Sequence, residues 1–287
     1  MDIGFFGINM GALSSRDAIT RVALAVEASG YESLWTGEHV VLVDPQVAPS
    51  PRPPESPFVD TIATLAYLAG VTERVKLGSG IILLAQRNPV VLAKELAGID
   101  VLSAGRLLFG VGVGYVKKEF DVIGVPYAER GARVTEHIEA IRTLWTEKKP
   151  VFQGKFTQIS DVQSHPHPVQ NPHPPIIIGG MSERACHRAI TQCNGWYGFS
   201  LGLERTAEML ENLKVAASKY ERPTALGELE ITVTPPGPVD LDMVKRYEDL
   251  GVSRVVILRG APSKKEGSAV DNAVRYVKEA AENLHLA

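Results

Sequence analysis

The residues best placed to do chemistry in this 287-residue chain are one histidine and a few glycine-rich turns. Trp35-Thr36-Gly37-Glu38-His39 ends a short β-type run. A histidine at such an end can exchange a proton near neutral pH or donate a hydrogen bond to a substrate oxygen, and it can equally cap a loop. Gly110-Val111-Gly112-Val113-Gly114-Tyr115 runs into Lys117-Lys118-Glu119-Phe120. This is not a dinucleotide fingerprint, because the third glycine comes too soon and no clear acidic partner follows about 20 residues later. Glycines there let a flat ligand approach the backbone closely. Gly179-Gly180-Met181-Ser182 opens a helix, where free amides and the helix dipole suit an anion such as a phosphate. A serine cap after a glycine turn explains the same residues without a ligand. Gly78-Ser79-Gly80 interrupts an aliphatic run, which suggests a bulge or a close backbone approach. Asn88-Pro89 reads as a helix cap followed by a first-turn proline.

Other chemistries find little support. His165, His167 and His173 stand among prolines that favour an extended polyproline chain, in which residues 165 and 167 need not converge on one ion, so no metal is expected. No Gly-x-Ser-x-Gly elbow, His-Glu-x-x-His helix or Walker loop is present. The 30 Lys+Arg balance 33 Asp+Glu, and no block of like charge occurs, so nucleic acid and anionic membrane surfaces are poor partners and a small substrate is a better one. The N-terminal Met1-Asp2-Ile3-Gly4 reads as a first strand rather than a signal peptide, and no apolar run reaches about 18 residues, which points to the cytoplasm. The two cysteines, Cys186 and Cys193, sit seven apart on what reads as one helix. At 1.5 Å rise per residue that is about 10 Å, too far to bridge.

The elements that must position these residues alternate between strand and helix. Strands are expected at 2–7, 31–36, 74–82, 106–112, 175–179, 195–199, 228–234 and 253–258. Helices follow at 15–29, 58–71, 89–103, 130–146, 182–192, 203–219, 239–250 and 268–284. Eight such units, with near-continuous apolar strands buried on both faces, argue for a closed (β/α)₈ barrel over residues 1–287 as one domain. In such a barrel, active sites gather at the carboxyl ends of the strands, and a pocket is expected where His39, Gly80, Gly112 and Gly180 meet. Two insertions break the rhythm. Residues 40–57 carry six prolines, at positions 45, 49, 51, 53, 54 and 57, and form either a lid or pocket wall or a disordered surface loop. Residues 150–174 precede strand five and contain a hairpin-like Val151-Phe152-Gln153-Gly154-Lys155-Phe156.

Taken in order, several of these blocks resemble the bacterial luciferase-like flavin superfamily, and within it the F420-dependent oxidoreductases of actinobacteria. The matching text includes Trp35 to His39, Arg87-Asn88-Pro89-Val90-Val91-Leu92-Ala93-Lys94, Asp100 to Arg106, Gly110 to Tyr115, Arg130-Gly131, Pro168 to Pro175 and Gly179-Gly180. It covers about residues 1–200; the remainder matches only in rhythm. The resemblance implies a TIM barrel, usually a homodimer, that binds coenzyme F420 or FMN at the strand ends. By the same resemblance His39 and Glu119 are the acid and base in either order, while Gly179, Gly180, Met181 and Ser182 hold a phosphate. Aligning strand three backward from Asn88-Pro89 implies a non-proline cis peptide between Gly80 and Ile81, with Ser79, Gly80, Ile81 and Gly112 behind the ring; an all-trans bulge is the alternative. Two departures stand out: Asn194-Gly195-Trp196 where relatives have Asp-Gly-Trp, and Ala85-Gln86 where they often have Pro-Tyr. The leading expectation is hydride transfer between F420 and a small organic substrate. FMN-dependent monooxygenation with a separate reductase, or a non-catalytic flavin-binding role, are the alternatives.

Overall fold

Eight strands pair side by side in chain order, every pairing parallel. They are β1 (Asp2–Phe6), β2 (Ser33–Thr36), β3 (Lys76–Ser79), β4 (Leu107–Gly112), β5 (Ile176–Gly179), β6 (Gly195–Phe199), β7 (Glu230–Thr234) and β8 (Arg254–Leu258). Two registers close the ring: β8 returns to β1 with Val255 opposite Ile3, and β3 meets β4 with Leu77 opposite Leu107. The computed structural model describes residues 1–259 and 267–286, so residues 260–266 and 287 of the expected 1–287 barrel lie outside the described residues. Parallel neighbours need a crossover, and helices supply it: α1 (Arg16–Ala28), α2 (Thr61–Val71), α3 (Pro89–Leu102), α4 (Arg130–Thr146), α5 (Glu183–Thr191), α6 (Leu203–Lys219), α7 (Leu241–Asp249) and α8 (Ala269–Asn283). Ser15, Asp60, Asn88, Ser182, Asp240 and Ser268 each accept an amide of the first turn with the side chain, which starts six of these helices where the sequence places a capping residue. Among the described residues no helix is long and apolar enough to cross a membrane.

Apolar burial falls into two layers. The larger lies between strands and helices; the smaller fills the barrel, with Phe6, Trp35, Leu108, Ile177, Tyr197 and Val256. Trp35 is fully buried there, its Nε1–H donating to Ser33 Oγ at 2.8 Å. Glycine at position 78 is what makes room for it, since a Cβ there would stand 2.5 Å from the indole ring. Arg254, 1% exposed, lies 5.8 Å from the same ring and donates to Glu32 at 2.8 and 2.9 Å, to Thr232 Oγ1 at 3.1 Å and to Glu230. Aromatic and ion network together plug the amino-terminal end of the barrel.

The departures from expectation are local. The strand expected over 74–82 is interrupted: β3 stops at Ser79, and a two-residue strand, Ile82–Leu83, resumes against Val111 and Gly112. Between them the Gly80–Ile81 peptide is cis, as the resemblance implies, and not the all-trans alternative. An additional short helix, Lys117–Ile123, follows β4 and ends on Gly124 at φ 79°. The hairpin in the second insertion pairs Phe152–Gln153 with Gln158–Ile159, so its return strand lies beyond Phe156. Glu136 holds the tip by accepting the amides of Lys155, Phe156 and Thr157 at 2.7–2.8 Å. Cys193 lies beyond the end of α5 rather than on it, and both cysteines are buried and free. The rings of His165 and His167 stack at 5.0 Å, while His173 is buried against Trp145.

Candidate active site

Because all strands run the same way, His39, Gly80, Gly112 and Gly180 follow the carboxyl ends of β2, β3, β4 and β5 and share one mouth. The turn that carries His39 is tightly held. Asn9, fully buried, brackets the Gly37 peptide: its Oδ1 accepts Gly37 N–H at 2.8 Å and its Nδ2 donates to Gly37 O at 2.8 Å and to Val59 O at 2.7 Å. Thr61 Oγ1 donates to the same Gly37 oxygen at 3.0 Å. Glu38 then points away from the mouth into an ion pair with Arg87, and His39 points toward Glu119.

His39 Nδ1 lies 3.2 Å from Glu119 Oε1, an oxygen that also accepts Val40 N–H at 3.2 Å. Glu119 is fully buried on the short helix after β4, and its Oε2 has no partner among the described residues. A carboxylate accepts only, so the bond assigns the imidazole proton to Nδ1 and leaves Nε2 for whatever enters. The imidazole is flanked edge-on by Phe58 at 5.7 Å and Tyr115 at 6.0 Å. Burial, with Glu119 nearby, pushes the Tyr115 phenol up, so it stays neutral at physiological pH.

The floor of the mouth is the Ser79–Ile81 segment. Ser79 Oγ donates to Gly110 O at 2.7 Å, and Gly80 N–H to Thr36 O at 2.8 Å. Any side chain at position 80 would collide with the Phe6 ring at 2.9 Å and the Tyr197 ring at 3.1 Å. Ile81 lies across the glycines of the next two strands, since a Cβ on Gly112 would stand 1.8 Å from its Cδ1 and one on Gly179 would stand 3.4 Å from its Cγ2. Gly112 therefore accommodates Ile81, which itself faces the mouth half-buried. Beneath, Tyr197 and Thr234 hydroxyls pair at 2.6 Å.

At the far wall Gly180 takes φ 121°, its carbonyl accepts Trp196 Nε1–H at 2.8 Å, and the amides of Met181 and Ser182 meet no protein acceptor among the described residues. Ser182 Oγ accepts Ala185 N–H at 3.2 Å, so the hydroxyl caps α5. Val40 and Tyr115, beside Glu119 and His39, and Phe199, against Phe6, are each about half exposed around this rim, an apolar collar of the kind that marks a ligand or partner site. The proline-rich segment 40–57 joins the collar at its two ends, through Val40 beside Glu119 and Phe58 beside His39. Two other depressions do not border His39. One of about 370 Å³ lies at the plugged end by Glu27, Arg74 and Lys76, and one of about 300 Å³ lies by Met181, Cys186 and Tyr220.

Sequence reasoning reached His39 directly and Glu119 through resemblance. It missed Asn9, Phe58, Tyr115 and the Glu38–Arg87 pair, whose partners are tens of residues away in the chain and whose types are ordinary in loops.

The chain and its barrel are similar to known proteins. An uncharacterized protein of Mycobacterium tuberculosis is 28% identical over 284 residues, 94% of this chain and 96% of its own length. The oxygenase component of a flavin-dependent trigonelline monooxygenase from Acinetobacter baylyi is 29% identical over 209 residues, 71% of this chain and 55% of that one. An F420-dependent secondary alcohol dehydrogenase, solved with an F420–acetone adduct, superposes with a TM-score of 0.76 over 99% of this chain and 98% of its own, at 15% identity, a likeness of fold. The family model of the luciferase-like monooxygenases matches residues 5–258, and the chain belongs to that family of flavin-dependent oxidoreductases.

Proposed function

We propose that the protein transfers a hydride between coenzyme F420 and a small organic alcohol or carbonyl compound, with His39 and Glu119 managing the proton. The observation that carries this reading is the His39–Glu119 contact at the mouth: an imidazole held by a buried carboxylate, with its second nitrogen available to a substrate oxygen. A deazaflavin supplies a carbon centre that exchanges two electrons as hydride and reacts poorly with oxygen. The chain's own contribution is placement and proton handling. When a substrate hydroxyl is oxidised, His39 Nε2 takes its proton; when a carbonyl is reduced, the same nitrogen returns one. Glu119 balances the imidazolium through the Nδ1 bond.

The residues present fit the cofactor. Gly80 and Ile81 offer a narrow apolar platform on which a side chain at position 80 has no room, and buried Ser79 and Gly112 support it from beneath through the Gly110 carbonyl and the seat of Ile81. Gly179, Gly180, Met181 and Ser182 offer backbone amides to an anionic arm, with the Ser182 hydroxyl already engaged in capping. The solved F420-dependent dehydrogenase with the same fold supports this choice. The similarity to a flavin-dependent monooxygenase favours a second reading, FMN-dependent oxygenation fed by a separate reductase.

Direct titration decides between them. Oxidised F420 is expected to bind more tightly than FMN, and turnover of secondary alcohols to proceed equally with and without oxygen. Preferential FMN binding with oxygen-dependent turnover would establish the second reading.

The same proposal includes a homodimer. Helix α2 carries no charged residue, and its neighbour α3 exposes Val90, Val91 and Leu102. A helix that is apolar on its outer as well as its inner face calls for cover, and a second copy of this chain provides it.

A further inference from the structure

Strand β2 ends at Thr36, opposite Ser79; Thr36 O still accepts Gly80 N–H at 2.8 Å, and beyond that bond the two backbones no longer pair. The strand Ile82–Leu83 is thus bonded to β4 on one side and has no strand on the other. A side chain fills the gap: Glu38 Oε2 accepts Leu83 N–H at 3.2 Å, in the place where a β2 carbonyl would have stood. Its other oxygen accepts Arg87 Nε–H at 2.9 Å and Nη2–H at 2.6 Å, and Arg87 also reaches Asp60, the cap of α2, at 3.1 Å. The Glu38 side chain is 3% exposed.

We infer that Glu38 is a positioning residue: its carboxylate carries the sheet one step past the end of β2 and so fixes His39, its neighbour in the chain, relative to Ile81, two residues before Leu83. The inference rests on the proposed hydride transfer for its functional meaning. Hydride and proton must move to and from atoms of the same substrate, so the imidazole and the ring platform have to keep a constant separation. The backbone bond from Gly80 N–H to Thr36 O joins the same two segments three residues before His39, and Glu38 adds the tie next to His39 itself, whereas Asn9 and Thr61 hold the Gly37 peptide but do not reach β3. An exposed pair would be too weak for this task, but two charge-assisted Arg87 N–H bonds to one oxygen of a nearly water-free carboxylate make the connection stiff.

The test uses the full-length protein with ¹⁵N-labelled histidine. The His39 imidazole signals are identified by their absence in His39→Ala. Glu38→Gln retains an acceptor for Leu83 but loses the charge that holds Arg87, whereas Arg87→Lys retains charge and loses the two-point grip. In both, the His39 signals are expected to shift or broaden while those of His173, buried against Trp145, stay in place. F420 affinity should hold within about twofold, and the single-turnover hydride-transfer rate should fall at least tenfold, with Arg87→Lys the milder of the two. His39 signals unchanged in both variants would overturn the inference, as would a rate loss matched by an equal loss of F420 affinity. If the parent protein fails to bind F420, the proposed function falls, and the histidine spectra still decide whether Glu38 positions His39.

Discussion

With Nδ1 engaged by Glu119, His39 has one nitrogen left for chemistry, which separates its role from that of the residues around the cofactor. His39→Ala is expected to lower kcat by about 10² or more while F420 affinity stays within about twofold, measured by turnover and by fluorescence titration. A loss confined to affinity would assign His39 to cofactor binding instead. Ser182→Ala should act differently, because its hydroxyl caps α5: thermal stability falls by about 1 kcal/mol, and F420 affinity drops as the first turn frays beneath the Met181 and Ser182 amides. At this scale a strand-end histidine was legible because its position in the βα rhythm is informative. Glu119 was not legible from its own surroundings, since a glutamate in Lys-Lys-Glu-Phe looks solvent-facing until the helix turns it inward. Gly112 also changed meaning, from a place where a ligand touches backbone to the seat of Ile81.

The interrupted third strand shows what pattern reading cannot see at the scale of elements. An aliphatic run from 74 to 82 looks like one strand; the break arises because Ser79 crosses over Gly110 and Ile81 over Gly112, contacts made with a strand some 30 residues further on. The two glycines should respond unequally to substitution. A methyl at position 110 would stand 1.8 Å from the Ser79 carbonyl oxygen, a backbone atom without freedom, so Gly110→Ala is expected to cost about 3 kcal/mol in denaturant unfolding. At position 112 the obstacle is the mobile end of Ile81, so Gly112→Ala should cost about 1 kcal/mol and weaken cofactor binding by re-aiming that side chain. Adding Ile81→Val should then recover part of the lost stability; strict additivity of the two changes would refute this coupling. Much of the family-like text proves to be scaffold. Asp100, fully buried, accepts the amides of Val169 and Gln170 at 2.8 and 3.0 Å and pins the second insertion, while Arg106 satisfies the last carbonyls of α2. Asn194, the departure from Asp, accepts Ile176 N–H at 3.0 Å and also donates to Leu226 O at 3.4 Å, which a carboxylate could not do.

For the molecule as a whole, the βα count was enough to specify a closed parallel barrel, because periodicity and strand order are properties of the chain. What plugs it was not legible, since Glu32, just before β2, meets Glu230 and Arg254, at the starts of β7 and β8, from about 200 residues away in the chain. Burial pushes the Glu32 carboxyl up, but the hydrogen bonds and charge of Arg254 outweigh it and bring it down to about 2 from an ordinary 4.5. A carboxylate with a depressed value stabilises the fold above its unfolded value, and that stability is lost as pH falls from about 4.5 through 2. At most about 3 kcal/mol is involved. Glu32→Gln should flatten the acid limb of unfolding measured between pH 6 and 3; an unchanged slope would show that other groups control it. Placing a charge on the outer face of α2, as in Ala63→Arg, is expected to shift the protein from dimer to monomer in sedimentation velocity, and a wild-type monomer would end the dimer proposal.

Trp35 and Arg254 also have a consequence for the order of events. With the barrel stopped from below, the proposed cofactor and substrate would have to share the one doorway at the carboxyl ends of the strands. If the cofactor is seated on Ile81 and the substrate enters after it, occupancy would work as a stack: the first to enter is the last to leave, and the second blocks its exit.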